Sequence, residues 1–243
     1  MSDVKIDIKA LLEAGVHFGH KTSRWHPKMA PYIHSKRGDT HIIDLTKTVE
    51  ALDVALDAVS AAVAKGGKIL FVGTKSQAKD EVKRVAEATG QLYVNERWVG
   101  GTLTNHKTIG LQIRKLHKLE KQIATGELER RYSKLEVQRV QEEIDSLNER
   151  YGGVKAMTSK PAMLVVTDAI VERNAINEAK KVNIPVVAFC DSNTDPVDID
   201  YVIPANDDAI KGIQLILGYF EEVILAANKN VKAATPIAKK EGK

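Results

Sequence analysis

The chain has 243 residues, 43% hydrophobic and 28% charged, which is ample material for a buried core and excludes a disordered protein. Its formal net charge is only +4, so bulk charge argues weakly for a polyanionic partner, and its single cysteine excludes an internal disulfide. The N-terminus lacks the apolar core of a signal peptide and no apolar run approaches the ~18 residues of a membrane span, so a soluble cytoplasmic protein with no membrane partner is expected.

The first predicted element is a short amphipathic helix. Its Ile8, Leu11 and Leu12 are too apolar for a free end and too few for a core, so they are expected either to face a partner or to dock on their own domain. Next comes a basic stretch. From His17 to Arg37 the cations Lys21, Arg24, Lys28, Lys36 and Arg37, interspersed with histidines and Trp25, meet no acid before Asp39. Such a run draws a polyanion, and residues 1–45 read as an N-terminal helix followed by a basic loop facing one.

A helix is predicted from Thr46 to Ala64, with Val49, Leu52, Leu56, Val59 and Val63 at three-to-four spacing and a stop at Gly66 and Gly67. Three short apolar runs, Lys68–Gly73, Ala162–Thr167 and Ile184–Phe189, are apolar on both faces and alternate with helical patterns. They predict a parallel sheet covered on both sides, with Thr40–Asp44, Leu92–Val94 and Tyr201–Ile203 as further strands. Residues 46–104 and 157–228 are therefore expected to form one three-layer α/β domain, closed by a helix from Asp207 to Asn228. Cys190 reads as part of a buried strand.

Gly73-Thr74-Lys75-Ser76 follows a strand as a phosphate loop would, but the glycine before the lysine is missing and no G-x-G-x-x-G occurs. Residual phosphate binding at Lys75 stays open. His17 and His20 form a pair without further ligands, and Asp191, Asp195 and Asp198 resemble a cation site only in composition, so neither a metal nor a cofactor is expected.

Arg97-Trp98-Val99-Gly100-Gly101-Thr102-Leu103-Thr104-Asn105 joins a strand to a helix through a guanidinium, an indole, two glycines and several hydrogen-bonding side chains. The combination suits RNA: glycine permits close approach, Arg97 and Trp98 offer stacking planes, and Thr102, Thr104, Asn105 and His106 can reach phosphate and ribose oxygens. Trp98 reads equally well as a core residue.

Between residues 105 and 156 the pattern changes. Ile109, Ile113, Leu116 and Ile123 step along one segment, and Val137, Val140, Ile144, Leu147 and Tyr151 along a second. Ser133 with Glu136 forms a capping-box start, so an inserted antiparallel helical hairpin, a coiled coil with a self-contained seam, is predicted. Residues 229–243 read as a flexible tail.

These motifs, taken together and in order, resemble the bacterial small-subunit ribosomal protein S-two family. The resemblance rests on Leu11–His20, Trp25–Ile33, His41–Leu45, Arg97–Asn105, Pro161–Pro185 and Asp195–Ala209. It implies a flavodoxin-like domain with a five-stranded parallel sheet and an inserted hairpin. It also implies a structural constituent of the small ribosomal subunit with no enzymatic activity and no small-molecule substrate. Its implied partners are small-subunit ribosomal RNA and neighbouring ribosomal proteins, including the mRNA-binding protein S-one where present. The alternative is a nucleotide-binding α/β enzyme. Ala205 stands where the family often has glycine, which leaves the backbone of that turn open.

Overall fold

A computed structural model describes residues 4–234, apart from the side chains of His106, Glu129 and residues 230–234. The first element is helix α1 (Ile8–Glu13), capped by the Asp7 carboxylate, which accepts from the Lys9 N–H at 2.8 Å. The stretch expected as a basic loop is instead a small antiparallel sheet of β1 (Phe18–Lys21), β2 (Ile33–Arg37) and β3 (Thr40–Ile43), with β3 in the middle. Thr40–Ile43 is thus a strand as expected, but of this sheet rather than the parallel one. Its short polar strands carry cations outward and anchor on Met29 and Ile43, which are buried.

Helix α2 (Leu45–Ala64) follows, capped by Asp44, and buries Leu52, Leu56, Val59 and Val63 as their spacing predicts. The parallel sheet is built from β4 (Ile69–Val72), β5 (Leu92–Val94), β6 (Met163–Val166), β7 (Val186–Cys190) and β8 (Tyr201–Pro204). Its order, β5-β4-β6-β7-β8, is the flavodoxin-like one, and all neighbouring pairs are parallel.

Alternation along these strands divides the interior into two cores. Ile69, Phe71, Val165, Val187 and Phe189 point to the face covered by α2, α3 (Lys79–Thr89) and α8 (Ile210–Ala234). Leu70, Val72, Leu164, Val166 and Ala188 point to the other, covered by α7 (Arg173–Lys181) and by the inserted helices. Every residue of β4, β6 and β7 is buried, which is why these strands read as continuous apolar runs.

The insertion consists of α4 (His106–Ala124), a short α5 (Glu127–Arg131) and α6 (Lys134–Tyr151). Glu136 accepts from both the N–H and the hydroxyl of Ser133 at 2.9 Å, completing the predicted cap. The expectation of a self-contained seam is corrected: Ile109, Ile113, Leu116, Ile144, Leu147 and Tyr151 share one core with Leu70, Val72, Leu92 and Val94 of the sheet. The returning chain presses on the edge strand so closely that a Cβ on Gly153 would lie 2.2 Å from the Tyr93 carbonyl oxygen. Helix α8 runs to Ala234, six residues beyond the predicted end, so the start of the expected tail is helical; residues 235–243 lie outside the described part. Ala205 does not take a positive φ, so the turn needs no glycine there.

Candidate functional site

The carboxyl ends of the parallel strands gather most of the residues singled out above. At one end of this edge, after β5, the Arg97–Asn105 turn is folded around a single carboxylate from α7. Glu178 Oε1 accepts from the Trp98 indole N–H at 3.1 Å and the Gly101 N–H at 2.7 Å. Its Oε2 accepts from the Leu103 N–H at 3.0 Å, the Thr104 N–H at 3.2 Å and the Thr104 hydroxyl at 3.1 Å. Gly101 takes φ 92°, which an L side chain rarely adopts, in a turn whose N–H groups at Gly101, Leu103 and Thr104 converge on this carboxylate while that of Thr102 goes to the Val99 carbonyl. Burial pushes the Glu178 pKa up, but the bonds from Gly101, Trp98, Leu103 and Thr104 outweigh it and hold the group below its ordinary value.

The clamp decides which residues of the turn remain outward. Thr102 is buried and its hydroxyl donates to the Val99 carbonyl at 2.6 Å. Trp98 is half-buried against the second core. Arg97, Thr104 and Asn105 are exposed, though Asn105 also caps α4 by accepting from the Thr108 N–H. Glu178 was visible in the sequence only as part of a family-like stretch; nothing in its local spacing announced the clamp.

In the middle of the edge, at the point where the strand order reverses, open α/β sheets of this type hold phosphates. Here carboxylates occupy that place. Glu172 Oε1 accepts from the Thr74 N–H at 2.8 Å and from the Thr74 hydroxyl at 2.5 Å. The Lys75 ammonium contacts Asp168 at 3.2 Å, Asp207 at 2.8 Å and Asp208 at 2.6 Å. Burial lowers the Lys75 pKa, but the bonds to Asp207 and Asp208 overcome it and leave the net shift upward. Burial and the neighbouring Asp168 charge push Asp207 up to about 6 against the pull of Lys75. Lys75 therefore serves as the counter-ion of three aspartates, and the backbone donor that would cradle a phosphate already holds Glu172.

At the far end, beyond β7, the small antiparallel sheet docks by main-chain bonds. The His26 N–H donates to the Ser192 carbonyl at 2.7 Å, and the His20 N–H to Asp191 Oδ1 at 3.1 Å and Ser192 Oγ at 2.8 Å. This anchoring leaves Lys21, Arg24, Lys36 and Arg37 exposed, and among the described residues none has a carboxylate within 4.0 Å. Lys28 differs, because its ammonium sits 3.2 Å from Asp195. Trp25 is exposed, its ring 5.2 Å from that of His41.

The sequence profile described as "Ribosomal protein S2" matches residues 11–227. The chain belongs to the ribosomal protein S2 family. It is 51% identical over 220 residues, 90% of this chain and 75% of the relative, to "Small ribosomal subunit protein uS2" of Rickettsia rickettsii (strain Sheila Smith). It is likewise 51% identical over 220 residues to the protein of the same name from Rickettsia prowazekii (strain Madrid E), covering 74% of that relative.

In this S2-family chain the three apolar residues of α1 separate. Leu11 is fully buried in the first core, whereas Ile8 and Leu12 are exposed at 46% and 52%. Leu11 is thus a docking residue of its own domain, and only its two neighbours are free to meet a partner. His20, Asp191 and Asp207 place one ligand atom each within 4.8 Å of one another, so they are the set that could hold a cation among the described residues. His17 is not part of it, and burial lowers its pKa. Asp195 and Asp198 are elsewhere, facing Lys28 and the pair Arg173 and Lys180. No helix among the described residues is long and apolar enough to cross a membrane.

Proposed function

We propose that this chain is a structural constituent of the small ribosomal subunit in the cytoplasm, holding ribosomal RNA through phosphate and ribose contacts rather than by reading bases. The observation that carries this reading is the set of exposed cations Lys21, Arg24, Lys36 and Arg37, none with a carboxylate within 4.0 Å among the described residues, on a module fixed by its main chain to the sheet edge. Exposed cations on a rigid support neutralise phosphates with little ordering cost, and shape recognition of RNA needs no base-specific module. Family membership and the name borne by its relatives support the same reading. Trp25, Arg97 and Asn105 add stacking and hydrogen-bonding groups at the exposed surface, whereas the Thr104 hydroxyl is already donated to Glu178.

Its protein partners are neighbouring small-subunit proteins, and it helps seat S-one where that protein is present. Exposed Ile8 and Leu12 beside buried Leu11 give a short apolar face of the kind that anchors a partner segment. The rival reading, a nucleotide-binding enzyme, meets carboxylates at the place where phosphate would lie. Sedimentation of the purified chain with small subunits depleted of it, through a high-salt cushion, tests the reading; loss of all association, or saturable ATP, GTP or NAD binding, overturns it.

A further inference from the structure

The two long helices of the insertion carry opposite charge. Helix α4 bears Lys107, Arg114, Lys115, Lys118 and Lys121 against Glu120 alone, whereas α6 bears Glu136, Glu142, Glu143, Asp145 and Glu149 against Lys134, Arg139 and Arg150. The cations of α4 are not equivalent. Lys115 pairs with Glu143 across the two helices. Positions 107, 111, 114, 118 and 121 step by four, three, four and three, so Lys107, Leu111, Arg114, Lys118 and Lys121 form one stripe on one helical face. All five are exposed, and among the described residues none of the four cations has a carboxylate within 4.0 Å. Near its base the stripe meets Thr158, Ser159 and Lys160, which line a cleft together with Arg114.

We infer that this stripe of α4 is a second phosphate-binding face, for a double-helical segment of RNA, distinct from the N-terminal cations. The stripe is about 21 Å long at 1.5 Å per residue. Its cations stand seven, four and three residues apart, spread along the whole length rather than clustered, as suits an extended polyanion rather than a single anionic group. Lys115, off the stripe, is neutralised by Glu143 of α6, which leaves the four stripe cations as the exposed charge of α4 without a carboxylate partner among the described residues. A protein partner would require acidic groups at matching spacing, whereas an RNA backbone supplies them at every nucleotide. Leu111 in the middle of the stripe, 59% exposed, offers an apolar contact for a ribose without contributing base selectivity. Helix α4 springs from the Arg97–Asn105 turn that Glu178 holds, so the stripe is fixed to the sheet at its base.

The inference rests on the proposed ribosomal role, and the experiment separates the two. Binding of the chain to small subunits depleted of it is measured across a salt series for wild type, for Arg114→Gln with Lys118→Gln and Lys121→Gln, and for Lys134→Gln with Arg139→Gln on α6. The α4 variant is expected to lower the slope of log affinity against log salt by about two to three, and the α6 variant to leave it unchanged. A photoreactive benzoylphenylalanine at position 111 is expected to crosslink to RNA. Unchanged slope in the α4 variant, equal loss in both variants, or crosslinking to protein alone overturns the inference while leaving the ribosomal role standing. Failure of the wild-type chain to bind the depleted subunits overturns both. Single Lys118→Glu, a surface change whose melting temperature is expected to match wild type, gives the same reading if the triple variant is unstable.

Discussion

Glu178 and Trp98, eighty residues apart in sequence, are joined by a hydrogen bond of 3.1 Å from the indole N–H to a carboxylate that also holds three backbone N–H groups and a hydroxyl. The turn most reminiscent of a nucleic-acid surface is therefore shaped from within. Gly101 and Thr104 serve this carboxylate, Thr104 with both its N–H and its hydroxyl, and what the turn offers outward is Arg97 and Asn105 on a fixed frame. Such a frame converts flexible polar residues into pre-organised donors, which lowers the ordering cost of binding.

Glu178→Gln is expected to destabilise the free protein by about 1.5–3 kcal/mol, because hydrogen bonds to a charged acceptor are lost and an amide NH2 is turned toward donors. Thermal melts of the two proteins check it. The pH dependence has a definite sign. The folded-state pKa lies below the ordinary value, so this stabilisation is complete above the ordinary carboxylate pKa and is lost as pH falls through the lower folded value. The difference in melting temperature between wild type and variant should therefore shrink in acid.

Lys75→Met is expected to cost about 3 kcal/mol, since it leaves Asp168 and Asp207, both nearly inaccessible, without their cation. Asp207 has a raised pKa of about 6, so its contribution is fully present below its unfolded pKa and is lost as pH rises through 6. Removing Lys75 deepens that loss, and the melting-temperature deficit should be larger at pH 8 than at pH 5. A variant as stable as wild type at pH 8 would show that Lys75 is not the internal counter-ion described.

Leu11→Ala should destabilise the fold by about 2–5 kcal/mol because the side chain is wholly inside the first core. Leu12→Asp should leave the melting temperature nearly unchanged and deplete S-one from purified subunits. Loss of this chain together with S-one in the Leu12→Asp strain would show that α1 serves only its own fold.

Joining Asn105 to Ala156 by a short Gly-Ser link is expected to give a product that binds hydrophobic dye and lacks near-ultraviolet circular dichroism. Deleting the insertion uncovers Leu70, Val72, Leu92 and Val94, which it helps to bury. A cooperative, native-like product would show that the inserted helices are a free arm after all.

The sheet was legible because both-face burial leaves uninterrupted apolar runs such as Ile69–Val72 and Val186–Cys190, and α2 because its spacing and flanking glycines agree. The small antiparallel sheet was not, since β2 carries His34, Lys36 and Arg37 and has little apolar alternation to reveal it. The insertion's helices and the Ser133 cap could be read locally, but a seam that packs onto its partner helix looks the same in sequence as one shared with a sheet. The roles of Lys75 and Thr102 were hidden for a related reason. Asp207, which holds Lys75, and Glu178, which clamps the turn around Thr102, come from distant segments that only the fold brings together, while the Thr102 hydroxyl itself bonds the Val99 carbonyl three residues away.

Whether the N-terminal cations hold the chain on ribosomal RNA is decided by the salt dependence of association with purified small and large ribosomal subunits, for wild type and for Lys21→Gln, Arg24→Gln, Lys36→Gln and Arg37→Gln made together. Binding to small subunits only is expected, with the slope of log affinity against log salt lowered by about three to four in the variant, near one counterion per cation removed. Equal binding to both subunits, or a slope unchanged by removal of all four cations, would contradict it.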